Sequence, residues 1–534
     1  MRASRTVKSA TPSFTRAVLR TSSSTHRSGC VLIAAVNERV RATLRLSIAF
    51  LCLLCLAHVA SARALEVKIT VASVNPARVR VEGRRDEAST AWSFLNTYAG
   101  ATNLAERIEN LTLYDESGAT VVARKLAPGE FTTERPATRF AYELKLDPPA
   151  FVSDTSHVSW LAADHGLLML GDILPLTQNG AQVELSLPVG WRASTVETNK
   201  AEGKFDVTDA ARAVFLVGRN VAERRERVGG MTFTLATVGD WAFGEGEAAD
   251  AATDILKNYA AMTGGVPSER AMLALVPLPQ GAGNLWNAET RGSTVVLASG
   301  RLPSKVAALA QLNGALTHEL FHLWIPNGLA LEGEYDWFYE GFTNYEALRV
   351  GMARGQLTFA DFLNSIGQAF DNYKAARGAR EISLVEASKR RWSNSAALVY
   401  HKGMLVALLY DLTLMRQSGG RSSLADVYRE LFARHKRGGK NMDGNRAVVE
   451  LLALRQGVGE FVAKYVEGET EIALAPLLEP FGLRIEPGGA RTHVGVADSL
   501  ERSQRELLRK LGYNERLGAE ARKLHEKLKR RQSQ

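Results

Sequence analysis

Cysteine is almost missing from this 534-residue chain. Cys30, Cys52 and Cys55 are the only three, and all fall within the first 64 positions. Residues 65–534 therefore have no disulfide framework, no thiol nucleophile and no thiolate metal ligands. Any metal held there must rest on histidines and carboxylates. Long apolar runs are also scarce. Leu46 to Val59 is a mainly apolar run of 14 residues, short of the roughly 20 needed to span a bilayer. There is no G-x-S-x-G elbow, no G-x-x-x-x-G-K-[ST] loop and no clear Gly-rich dinucleotide turn, which removes the usual serine-hydrolase, P-loop and Rossmann readings. A true charge excess is missing too. The net +9 comes from 66 Lys+Arg against 57 Asp+Glu, but residues 1–64 hold ten of those bases and one acid, Glu38. The remaining 470 residues are neutral in sum, so the basic balance is no argument for nucleic-acid binding.

What is present begins with a leader. Arg41 and Arg45 precede the apolar run, and Ala60-Ser61-Ala62 follows it with small residues. This is the pattern of a secretory signal cleaved near 62–64. A secreted or periplasmic protein is expected, with an N-terminal membrane anchor as the alternative. Residues 1–39 are Ser/Thr/Arg-rich. Either the true start is Val40 or the targeting peptide is longer.

The length predicts two to four domains at roughly 100–200 residues each. From Leu65 to about 240 the pattern is strand-like. Leu65, Val67, Ile69 and Val71 alternate with polar residues, as do Phe140, Tyr142, Leu144 and Leu146, and then Val183, Leu185 and Leu187. Period-two alternation buries one face of a strand, and 65–240 reads as an antiparallel β-sandwich domain. From 241 to 490 helices dominate, at about 304–324, 337–352, 358–374, 395–415 and 422–435, with short apolar strands at 272–276 and 294–297. The last of those helices is expected to be capped by Ser422 or Ser423. Residues 491–534 read as a short, charged helical tail.

The decisive stretch is Thr317-His318-Glu319-Leu320-Phe321-His322-Leu323-Trp324, an H-E-x-x-H motif. On a helix, positions i and i+4 share a face, so His318 and His322 can aim both imidazoles at one zinc ion. Glu319 can reach the metal's open position and act on water. Val306, Leu309, Leu312, Leu316, Leu320 and Leu323 read as the apolar side of a buried helix that ends at Pro326. A catalytic zinc takes a third protein ligand. Glu332, Glu334, Asp336 and Glu340 lie downstream. The first two sit in a Gly-containing loop, whereas Glu340 opens an aromatic helix, Trp337-Phe338-Tyr339-Glu340-Gly341-Phe342, and is the expected ligand. Asn344, one turn on, is placed to hold a ligand histidine by its second ring nitrogen.

H-E-x-x-H followed by W-F-x-E-G-F-T-x-Y resembles the gluzincin metallopeptidases, and within them the glycyl aminopeptidase family. Pro188-Val189-Gly190-Trp191 resembles that family's P-x-G-W turn. Tyr400-His401-Lys402-Gly403, with the Leu405 to Leu412 run, resembles its Y-x-K-G helix. The resemblance spans about 65–490. It implies a β domain followed by a thermolysin-like α+β catalytic domain with one Zn2+, and a peptide or protein substrate. It also implies that Tyr400 stabilises the oxyanion and that Glu289, in Ala288-Glu289-Thr290-Arg291, binds the substrate's free α-amino group. Two features depart from the family. Asn287-Ala288 and Thr290 replace its Gly-Leu and His around Glu289, and the stretch after Pro487 is too short for the PDZ domain that relatives often carry. The resemblance implies an aminopeptidase for small or neutral N-terminal residues. The alternatives are an endopeptidase with the same chemistry and a zinc-bearing binding protein without turnover.

Overall fold

The computed structural model describes residues 65–176, 180–279, 283–376, 382–486 and 490–514. The leader and the end of the tail lie outside these residues. Three β-sheets are stacked in succession, and the helices cover the last of them.

The outermost sheet has nine strands and includes all three of the alternating runs. Every second residue is buried over 65–71, 140–144 and 181–185, within the strands Leu65–Val74, Glu130–Lys145 and Ala181–Ser186. The sheet is antiparallel except where Leu65–Val74 runs parallel to Ala181–Ser186. Its buried face packs on a four-stranded sheet through Phe140, Tyr142, Leu161 and Phe215. In that second sheet the strand Val214–Gly218 is buried throughout. Phe215 and Val217 face the nine-stranded sheet, while Val214 and Leu216 face Met272, Ala274 and Val296 of the third. This middle strand explains why Val214–Gly218 shows no alternation: a strand covered on both faces is apolar throughout.

The third sheet has five strands. Met231–Thr237 runs parallel to Arg270–Pro277, which runs parallel to Thr294–Ser299, and Trp286–Arg291 closes the edge antiparallel. The hairpin Ala222–Val228 and Met231–Thr237, ahead of the boundary expected near 240, is thus built into this sheet. Its alternation marks the solvent side of a mixed sheet, which looks the same in sequence as a sandwich edge.

The expected helices are present as Lys305–Glu319, Thr343–Ala353, Phe359–Ala375, Gly403–Gln417 and Leu424–His435. Ser423 and Asp426 form a capping box on the last, satisfying amides that a helix start leaves unpaired. Val306, assigned to the apolar face, is 80% exposed, because the helix packs by Ala308, Leu312, Ala315 and Leu316. The charged tail contributes a strand before its helix. His493–Val496 pairs with Leu483–Glu486, and only then does helix Arg502–Lys510 dock through Leu507 and Leu508.

Candidate metal centre

Helix Lys305–Glu319 is apolar around its core-facing side and is capped by Ser304. It does not continue as an α-helix to Pro326. Leu320–Leu323 tightens into a 3-10 turn, so His318 and His322 lie on either side of the change of winding. Their rings still meet, edge to face at 4.7 Å. The carbonyl of Ile325 lies 2.9 Å from His322 Nδ1, which fixes the ring and turns Nε2 inward. Asn344 lines a cavity beside His318, but no hydrogen bond among the described residues joins it to either histidine. The 3-10 turn brings the Ile325 carbonyl to His322 and leaves no need for the amide there.

Glu340 lies in Trp337–Phe342, a wide helical turn that leads into Thr343–Ala353. Gly341 allows this turn to press against Gly403 of the facing helix. A Cβ on Gly341 would lie 2.6 Å from Gly403 Cα and 2.7 Å from the Val399 carbonyl.

The three ligand atoms converge. His318 Nε2 is 3.0 Å from His322 Nε2 and 3.2 Å from Glu340 Oε2, and His322 Nε2 is 3.6 Å from the same oxygen. Zinc binds nitrogen and carboxylate oxygen at about 2.0–2.2 Å in a tetrahedron, whose edges are then about 3.3–3.6 Å. The donor set fits that ion in chemistry and in spacing, and it is the one group of three such residues found among those described. Burial works against charge on both partners, yet each holds the other. The Glu340 carboxyl stays well below the usual range because His322, His318 and Arg391 face it. His322, with Glu340 against it, is lifted to about 9. Glu332, Glu334 and Asp336 do not join the group. Asp336 instead accepts from Arg391 at 2.7 Å.

A cleft of about 1070 Å³ opens onto the centre and is lined by Glu289, Glu319, Glu340, Arg391 and Tyr400 as well as the two histidines. Glu319 is buried, and Thr290 Oγ1 donates to its backbone carbonyl at 2.8 Å and to its Oε2 at 3.2 Å. Glu319 lines the cleft. Tyr400 is half-buried on the turn Leu398–Lys402. Burial and the neighbouring Glu340 push its phenol above the ordinary value, so it remains a proton donor.

Glu289 lines the same cleft from the edge strand Trp286–Arg291. One of its oxygens accepts from Tyr98 and the other lies 3.3 Å from Arg291 Nε. Arg291, itself buried, stacks on the Tyr98 ring at 3.9 Å. Tyr98, Arg291 and Arg391 were not singled out from sequence. Arg391 sits in Lys389-Arg390-Arg391-Trp392, which reads as a basic surface run.

No known family model and no curated protein matches the chain. Solved structures do. An aminopeptidase N family protein from Idiomarina loihiensis superposes with a TM-score of 0.69 at 18% identity, covering 79% of each chain. An M1 zinc metallopeptidase from Deinococcus radiodurans superposes at 0.50 and 17% identity, covering 78% of this chain and 95% of that one. A mutant of that enzyme, solved with a Tyr-Ser-Ala substrate, gives 0.50 at 16% identity with the same coverage. The β-rich first half and the helical second half thus share one architecture with these zinc peptidases: the chain has the M1 metallopeptidase fold.

Proposed function

We propose that the protein is a zinc-dependent peptidase, acting as an aminopeptidase on small or neutral N-terminal residues. One observation carries this reading: His318, His322 and Glu340 converge with zinc spacing on a cleft that Glu319 and Tyr400 also line. A zinc ion held by His318, His322 and Glu340 would supply Lewis acidity and lower the pKa of a bound water.

The chain's own residues do the rest. Glu319 takes the proton of the attacking water at its carboxylate and returns it to the leaving nitrogen. Tyr400 donates its phenol proton to the scissile carbonyl oxygen as charge gathers there, an interaction that is stronger in the transition state than in the ground state. Glu289 supports the exopeptidase reading because it lines the same cleft, where a free α-ammonium can be met. The arginines lining the cleft support a neutral side chain. Arg291 is paired with Glu289, Arg391 with Glu340 and Asp336, and Arg212 with Asp209 at 3.7 Å. An acidic side chain would find no free guanidinium among these. The leader read at 41–62 supports an exported location, secreted or periplasmic.

The test is hydrolysis of free and N-acetylated peptides by purified 65–534, with zinc quantified in the same sample. Cleavage of free N-termini alone, with one zinc per chain, is expected. Glu319→Gln should keep the zinc and lose turnover by several orders of magnitude. Cleavage of blocked peptides would remove Glu289 from its role and make the enzyme an endopeptidase. Bound zinc without turnover on any substrate would refute the peptidase reading.

A further inference from the structure

Arg391 belongs to neither the metal ligands nor the expected catalytic pair, yet it touches both. Its Nη2 lies 2.9 Å from Glu340 Oε1 and also donates to the Tyr400 hydroxyl, and its Nη1 lies 2.7 Å from Asp336 Oδ1. The guanidinium is mostly buried. It lies over the ring of Tyr400 at 5.1 Å and over that of Trp392 at 4.6 Å. A planar fork of five donors is the one side chain able to serve three oxygens in a fixed arrangement.

The oxygens it selects matter. Glu340 turns Oε2 toward the two histidines, and Arg391 holds the other oxygen, Oε1. The carboxylate is thereby set as a one-oxygen ligand with a fixed rotation. Tyr400 accepts a hydrogen bond from the guanidinium but cannot return one, because arginine has no acceptor. The guanidinium thus makes no claim on the phenol proton, whose carboxylate neighbour is Glu340. Asp336 holds the fork from behind.

We propose that Arg391 is a positioning residue that couples the two halves of the centre, fixing the metal ligand Glu340 and the oxyanion donor Tyr400 in one geometry. This rests on the peptidase reading for its catalytic half and on the donor set alone for its metal half. The arrangement makes two separate demands on the variant Arg391→Lys. The ammonium keeps the charge beside Asp336 and Glu340, so the fold is retained, but one nitrogen cannot span three oxygens.

The experiment measures zinc affinity by chelator competition, kcat and KM on the best free-amine peptide, and inhibition by a phosphinic peptide that mimics the tetrahedral state. Partners that orient a ligand are worth about 10–100-fold in metal affinity or activity. Arg391→Lys is expected to weaken zinc binding about tenfold and, when saturated with zinc, to lower kcat about 10–100-fold with KM within about threefold. The phosphinic inhibitor should weaken by the same factor as kcat, while inhibition by the product amino acid stays put. A merely structural role would move none of these selectively. A folded Lys variant whose zinc affinity, kcat and phosphinic affinity all match wild type within threefold overturns the proposal. A wild-type protein inactive on every substrate sinks the peptidase reading instead, and zinc affinity alone then decides the role of Arg391. If Arg391→Lys fails to fold, Asp336→Asn removes the rear anchor, and the same three measurements apply with the same criteria.

Discussion

Replacing Gly341 by alanine sets two effects against each other. In an exposed helix the change stabilises by about 1 kcal/mol, because glycine is the poorer helix former. Here the added methyl meets backbone. Its contacts at 2.6, 2.7 and 2.8 Å with Gly403 and Val399 are far inside the 3.4 Å of ordinary packing, and a helix backbone cannot rotate away as a side chain can. The turn carrying Glu340 must therefore retreat from the helix of Tyr400 by something near 0.8 Å, the difference between those contact distances. Overpacking of this kind costs about 1–3 kcal/mol, which offsets or exceeds the propensity gain of about 1 kcal/mol, so a net loss of up to about 2 kcal/mol is expected. The functional effect is larger. A misplacement approaching 1 Å can cost about 100-fold in rate, and Glu340, its neighbour in sequence, moves with the turn. Denaturant unfolding of the metal-free protein, chelator competition for zinc and kcat on a free-amine peptide measure the three consequences. An alanine variant as stable as wild type, with undiminished zinc affinity, would refute the claim that the Gly341–Gly403 contact sets the position of the ligand.

Tyr400→Phe removes a donor but no ligand. It should lower kcat by about 10²–10³, the usual cost of one oxyanion contact, with zinc content and KM nearly unchanged. Loss of zinc in this variant would contradict the assignment. Because burial raises the Tyr400 phenol, the wild-type rate should show no alkaline limb from it below about pH 10, the ordinary tyrosine value. Residues 1–64 fused to a reporter enzyme should carry it out of the cytoplasm, and a reporter retained there would refute the export reading.

The metal ligands were legible because each rests on local spacing. H-E-x-x-H puts two imidazoles on one helical face, and Glu340 stands out as a carboxylate among aromatic residues. The expected helices match for the same reason, since period and caps are local signals. What was hidden depends on distant contacts. Arg391 sits in a basic run like many solvated ones, and only packing brings it to Asp336 and Glu340, 55 and 51 positions earlier. Tyr98 reaches Glu289 across 191 positions, from a turn that carries no motif. The choice of the Ile325 carbonyl over Asn344 followed from the 3-10 turn after Glu319, which the Leu320-Phe321-His322-Leu323 sequence does not announce. The stacking of three sheets was hidden as well, since alternation reports that a face is covered but not by what.

The strand Val214–Gly218 has a consequence for biosynthesis. Val214 and Leu216 are covered by Met272, Ala274 and Val296, so their cover lies about 60–80 residues further along the chain. At ribosomal rates of about 5–20 residues per second, this apolar face waits some seconds, about 3–16, before its partner strands exist. Throughout that interval the nascent chain carries an apolar strand face whose native cover has not yet been made.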